Sequence, residues 1–132
     1  MRLTVLVLLA ALTTATGVQA ETPSLPADAV QLKGADIGAY LDGKRFSVVI
    51  YDGEALVKAT VNWDLNRGIV FGDYVANGTK GKFENPWVIK GNTNCGEKTA
   101  KGAWVCQKIF IKGNTMYEVN KAGQLHAVSK VK

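Results

Sequence analysis

Two cysteines, one histidine and a scatter of carboxylates are the residues of this 132-residue chain that could do chemistry. Cys95 and Cys106 lack the C-x-x-C spacing of redox pairs and metal knuckles. In an exported chain two such cysteines are expected to form one structural disulfide. His126 alternates with Leu125 and Ala127, which predicts a surface histidine sharing a polar face with Gln124 and Lys130. With no second histidine and both cysteines joined, a transition-metal site has too few ligands. No Gly-x-Ser-x-Gly elbow is present, and no serine forms a recognisable partnership with His126. Asp52 and Glu54 flank Gly53, and Asp64 and Asp73 fall at strand ends, where turn formation is the expected role. Phosphate-binding, dinucleotide-binding and calcium-loop patterns are missing, so no catalytic residue, cofactor or metal is assigned.

The aromatic residues are the more informative set. Trp63, Phe71, Trp87, Trp104, Phe110 and Tyr117 are many large rings for so small a domain. If they are not all consumed as core, they would line a pocket for an apolar or ring-bearing ligand. Whether the space between Trp63, Trp87 and Trp104 is filled or hollow separates a surface-binding protein from one that holds a small molecule.

The location of the chain is read from its start. Arg2, the apolar run Leu3–Leu12 and Val18-Gln19-Ala20 make a cleavable signal peptide over residues 1–20, cut after Ala20. The run is too short to span a membrane. The mature chain is expected to be periplasmic or secreted, without a transmembrane segment. An extended segment, 21–31, contains Pro23 and Pro26, and residues 32–132 are expected to form one domain. Charge is uneven: residues 21–91 hold eight Lys/Arg against nine Asp/Glu, whereas residues 92–132 hold seven lysines against two glutamates. The lysines are spread at turns, so they read as a solvated surface with weak attraction to anionic surfaces. Nucleic acid is not an expected partner of an exported chain.

Those residues must be positioned mostly by strands. The only predicted helix is Leu32–Asp42, with Ile37, Tyr40 and Leu41 on one face and Gly43 as its stop. From Arg45 the hydrophobic period becomes two. Phe46, Val48 and Ile50 share a face, Asp52-Gly53 signals a hairpin, and Ala55, Val57, Ala59, Val61 and Trp63 form the clearest alternation. Ile69–Val75, Thr79–Phe83, Trp87–Ile89, Trp104–Ile111, Thr115–Val119 and Gln124–Val131 follow, with Pro86 expected to interrupt the series. Ile89-Lys90-Gly91-Asn92-Thr93 recurs as Ile111-Lys112-Gly113-Asn114-Thr115, which places two similar turns at one end of a sheet. The fold class is therefore all-β: a small antiparallel up-and-down, lipocalin-like barrel of about eight strands with a short N-terminal helix and one disulfide.

Gly91-Asn92, Cys95, Cys106, Tyr117-Glu118-Val119, Gly123 and His126-Ala127-Val128, with the opening Gly34-Ala35-Asp36-Ile37 and Leu41-x-Gly43-Lys44, resemble an uncharacterised family of small exported proteobacterial proteins, a domain of unknown function. The stretch between Arg67 and Pro86 departs from that pattern. The resemblance implies export and a lipocalin-like barrel, and it implies no activity. The expectation is a non-catalytic periplasmic binding module for a small apolar ligand or a protein partner. The alternatives are an inhibitor of a secreted hydrolase (a lysozyme or protease), inserting Glu21–Gln31 as an arm, and lowest, a carboxylate-dependent hydrolase using Asp52 and Glu54.

Overall fold

The computed structural model describes residues 22–97 and 103–132. Residues 1–21, which include the expected signal peptide, and residues 98–102 lie outside the described residues. The chain runs β1 (Val30–Gln31), α1 (Ala35–Leu41), β2 (Arg45–Ile50), β3 (Val57–Asp64), β4 (Ile69–Ala76), β5 (Thr79–Lys90), β6 (Thr93–Glu97), β7 (Trp104–Lys112), β8 (Thr115–Val119) and β9 (Leu125–Val131). From β2 to β9 each strand pairs antiparallel with the next, and β9 returns to β2 through Phe46↔Val131 to Ile50↔Ala127. Eight strands thus close an up-and-down barrel with a disulfide between Cys95 and Cys106, as the alternation predicts.

Period-two patterning decides which side chains turn inward. Phe46, Val48, Val61, Trp63, Trp87, Ile109, Met116 and Ala127 form the core, while Lys58, Asp73, Lys82 and Lys108 on the alternate positions stay outside. Phe46 meets Trp63 edge-on, with ring centroids 5.1 Å apart. The Asn77-Gly78 turn joins β4 to β5 with both residues at positive φ (49° and 75°), the conformation a two-residue hairpin requires. The Asp52-Gly53 signal leads instead to a wider loop between Ile50 and Val57, because the Asp52 side chain is drawn across to β9.

Pro86 does not break the series. Residues 79–90 form one strand, which pairs with β4 up to Ile69↔Pro86 and with β6 from Trp87↔Gly96 onward. The Trp87 N–H points to the β4 side, donating to Gly68 O (2.8 Å), so the nitrogen of Pro86 faces the other way. That direction lies beyond the last β5–β6 pair, and its missing N–H removes no rung.

The helix is shorter than predicted, seven residues, and it bridges one end of the barrel. Gly34 N–H donates to Asn92 Oδ1 at its start, and Gly43 N–H donates to Trp63 O just past its end. Ile37 and Leu41 are fully buried, each contributing about 2 kcal/mol of apolar burial. The two repeated Gly-Asn turns lie at this same end, as expected from their spacing. Upstream of the helix, Val30 and Gln31 pair with Ile111 and Phe110 of β7, and Asp28 forms an ion pair with Lys112 at 3.0 Å. The end of the 21–31 segment is therefore bound to the barrel wall.

The opposite end carries the Tyr51–Leu56 loop, the Asn77-Gly78 turn and the Asn120–Gln124 turn, with no helix across it among the described residues. The protein's polar interior opens towards that end.

Candidate functional site

Each inward row of the barrel in this half contains one polar residue among apolar neighbours. On β7 the inward set is Val105, Gln107, Ile109 and Ile111; on β8 it is Met116 and Glu118; on β6, Asn94 and Gly96. Asn94, Gln107, Glu118 and His126 are 5%, 4%, 6% and 8% exposed, so these polar groups belong to the interior. They line one side of a cavity of about 130 Å3, together with Asn85. The other side is apolar and aromatic, from Val48, Val61, Trp63, Phe83 and Trp87.

The polar side is only partly satisfied from within. Asn94 Nδ2 donates to Glu118 Oε2 at 3.3 Å. The Trp87 indole N–H and the Gln107 carbonyl Oε1 are buried without a hydrogen-bond partner. A buried polar atom left in this way costs about 1–3 kcal/mol, so two residues that line this one cavity each carry such a cost.

His126 corrects the surface assignment. β8 pairs with β9 in one register from Thr115↔Lys130 to Glu118↔Ala127, then shifts by one at Val119↔Leu125. His126 is the extra residue of that bulge. A bulge sets two neighbouring side chains against one partner residue, and both His126 and Ala127 line the cavity. Strict alternation, which puts them on opposite faces, fails at this one position. His126 Nδ1 lies 2.7 Å from Asp52 Oδ1, and Asn120 Nδ2 donates to Asp52 Oδ2 at 3.2 Å. A carboxylate only accepts, so His126 Nδ1 is the donor of this pair. Asn120 Oδ1 also accepts from the Ala122 and Gln124 N–H groups. The β2–β3 loop and the β8–β9 turn are thereby tied together across the mouth.

Of the six aromatic residues predicted to line a pocket, the structure brings only Trp63 and Trp87 to the cavity. Phe71 lies on the outer face, beside Val70 which faces in, with the Arg67 guanidinium 5.5 Å from its ring. Trp104 is also outside, and Lys90 Nζ sits 4.8 Å from its ring centre. Phe110 and Tyr117 are cross-strand partners on the outer face. These four share the parity of outward positions, which residue type alone does not reveal. Asn85, Asn94, Gln107 and Glu118 carry no catalytic spacing that marks them in the sequence. The available signal was a lone polar residue in an otherwise apolar period-two row.

Other carboxylates have local roles. Asp64 accepts from the Arg67 N–H and from its guanidinium (2.7 Å), which holds its carboxyl below the usual range. Asp73 is exposed on β4. Among the described residues, no group of three or more His, Cys, Asp or Glu is placed to hold a metal ion. No described helix is long and apolar enough to cross a membrane.

The cavity adjoins an outer cleft. Val105, Gln107 and His126 line both, and the cleft continues past Trp104, Cys106 and Lys108 on one side and Val119–Ala122 on the other. No protein-family model, curated protein or solved structure matches this chain.

Proposed function

We propose that this protein is an exported, non-catalytic binding module that holds one ring-sized polar molecule, or the ring-sized end group of a longer one, inside its barrel. The reading rests on Trp87 and Gln107, two lining residues of a cavity of about 130 Å3 whose indole N–H and amide carbonyl are buried without a partner. A cavity of about 150 Å3 accommodates a benzene-sized molecule, whereas drug-sized or lipid-like ligands occupy about 300–1,000 Å3. The lipid-like version of an apolar ligand is therefore disfavoured. Trp63 and Trp87 offer ring faces, while the orphan donor and acceptor call for a ligand carrying both hydrogen-bonding functions. The disulfide suits an oxidising compartment, consistent with periplasmic residence after loss of residues 1–20.

The test uses the oxidised mature protein and two probes of similar size, 2-pyridone and benzene, followed by tryptophan fluorescence and calorimetry. Pyridone, with its adjacent N–H and C=O, is expected to bind at least about tenfold more tightly than benzene, as one hydrogen bond to each orphan would provide. Equal affinity for both probes, or a pyridone signal that survives Gln107→Met unchanged, would refute the reading.

A further inference from the structure

A second feature lies in the wall and not in the cavity. β7 pairs with β6 over Trp104–Gln107 and with β8 only over Lys108–Lys112, where the last rung is Lys108↔Val119. Beyond Val119 the chain turns away through Asn120–Gln124, anchored to Asp52 and not to β7. Residues 104–107 consequently have a strand on one side and, among the described residues, none on the other.

The directions of their backbone groups follow from the register. Leu32 N–H donates to Ile109 O at 2.9 Å, so odd-numbered residues of β7 turn their amides and carbonyls towards the β6 and β1 side. The 4.1 Å Cα separation of Cys95 and Cys106 fits a non-hydrogen-bonded pair, which gives the same parity. Trp104 and Cys106 therefore turn their N–H and C=O groups the other way, into the outer cleft. A row of alternating, unpaired donors and acceptors is the template that an added strand satisfies.

We infer that the open edge of β7 at Trp104–Gln107 is a docking site for an extended acidic peptide segment of a partner protein. Backbone spacing selects an extended polypeptide. Charge selects its sign: Lys108 and Lys121 are among the residues that line the cleft, and the carboxylate among those lining residues, Asp52, is engaged by His126 and Asn120.

The experiment uses the full mature, oxidised chain, isotopically labelled, with a short peptide alternating glutamate and valine. The amides of Trp104 and Cys106 are expected to exchange rapidly in the free protein and at least about tenfold more slowly with peptide at saturation. The same peptide N-methylated at every second amide, made in both registers, keeps its charge but loses donors; one register is expected to bind at least about tenfold more weakly. Lysine in place of glutamate weakens binding similarly, and the exposed double variant Lys108→Glu, Lys121→Glu reverses that preference. Three outcomes overturn the inference: protection of both amides in the free protein, peptide binding without added protection there, or protection that grows with protein concentration alone. The last would assign the edge to a second copy of this chain. Because the readout is at backbone amides outside the cavity, failure of the ring-ligand proposal leaves it unaffected.

Discussion

Replacing Gln107 by methionine separates stability from binding more sharply than any other single change. Its carbonyl oxygen is buried with no partner, in a residue 4% exposed, and an orphan of this kind costs about 1–3 kcal/mol. Methionine has nearly the same length and is flexible enough to fill the space, so little cavity or strain energy is added. Allowing about 1 kcal/mol for imperfect repacking, Gln107→Met is expected to stabilise the empty protein by up to about 2 kcal/mol. For a domain of this size that raises Tm by up to roughly 8 °C, at about 4 °C per kcal/mol. The same variant is expected to lose at least about tenfold in affinity for 2-pyridone, because the ligand donor then faces a thioether. Scanning calorimetry and urea titration read the first quantity, fluorescence titration the second. A fall in Tm of similar size would refute the reasoning, since it would mean that Gln107 Oε1 is already satisfied by ordered water and that the cavity is a hydrated void.

Three further changes test the scaffold. Cys95→Ser opens the bond between two cross-strand neighbours and is expected to cost about 2–3 kcal/mol under oxidising conditions, read as a Tm loss of about 8–12 °C; an unchanged Tm would mean the bond contributes nothing to the fold. Gly72→Ala places a Cβ within van der Waals overlap of Thr60 O on the neighbouring strand, and because that obstacle is backbone, a loss of about 3 kcal/mol or failure to fold is expected; wild-type urea stability would refute so close an approach of β3 and β4. Tyr40 bears a buried, unpartnered hydroxyl, and burial raises its pKa above the ordinary 10.0. The neutral form is therefore favoured in the folded state. Its contribution is present below pH 10 and is lost as pH rises through the higher folded value, when ionisation draws the chain towards the unfolded state. Tyr40→Phe is expected to reduce the alkaline loss of stability and leave neutral-pH stability equal or slightly higher; an identical alkaline profile would show that Tyr40 does not drive it.

The barrel was legible because it follows from short-range chemistry repeated along the chain. Alternation at Phe46, Val48 and Ile50 and at Val57–Trp63 assigns an inside and an outside. Asn77-Gly78 fixes a turn, and Ile37, Tyr40 and Leu41 mark a helix with one buried face. Pro86 was misread because a proline in a strand is harmful only where its nitrogen must face a neighbouring strand, and that depends on where β5 exchanges β4 for β6. This is a property of the assembled sheet. The outward positions of Phe71, Trp104, Phe110 and Tyr117 were in principle available from parity, once the cysteines are placed on the outer face. Ranking rings by size alone discards that information.

The site was harder to read for a reason specific to barrels. A buried polar residue is recognised in sequence by what it is near, and here its neighbours come from β5, β6, β7, β8 and β9 at once. Asn85, Asn94, Gln107, Glu118 and His126 span some forty positions, and no pair has a spacing associated with known chemistry. His126 depends further on a one-residue shift against Val119 that no local pattern signals. Both features of the functional half have the same geometric origin. β7 is nine residues long and β8 five, so their pairing ends before β7 does. β8 therefore runs out alongside β7 just where β9 slips by a residue: the slip turns His126 inward, and the shortfall leaves Trp104 and Cys106 with β6 on one side and, among the described residues, no strand on the other. Extending β8 past Val119 in register with both neighbours would pair that edge and return His126 to the outer face, removing the mouth of the cavity and the peptide-binding edge together.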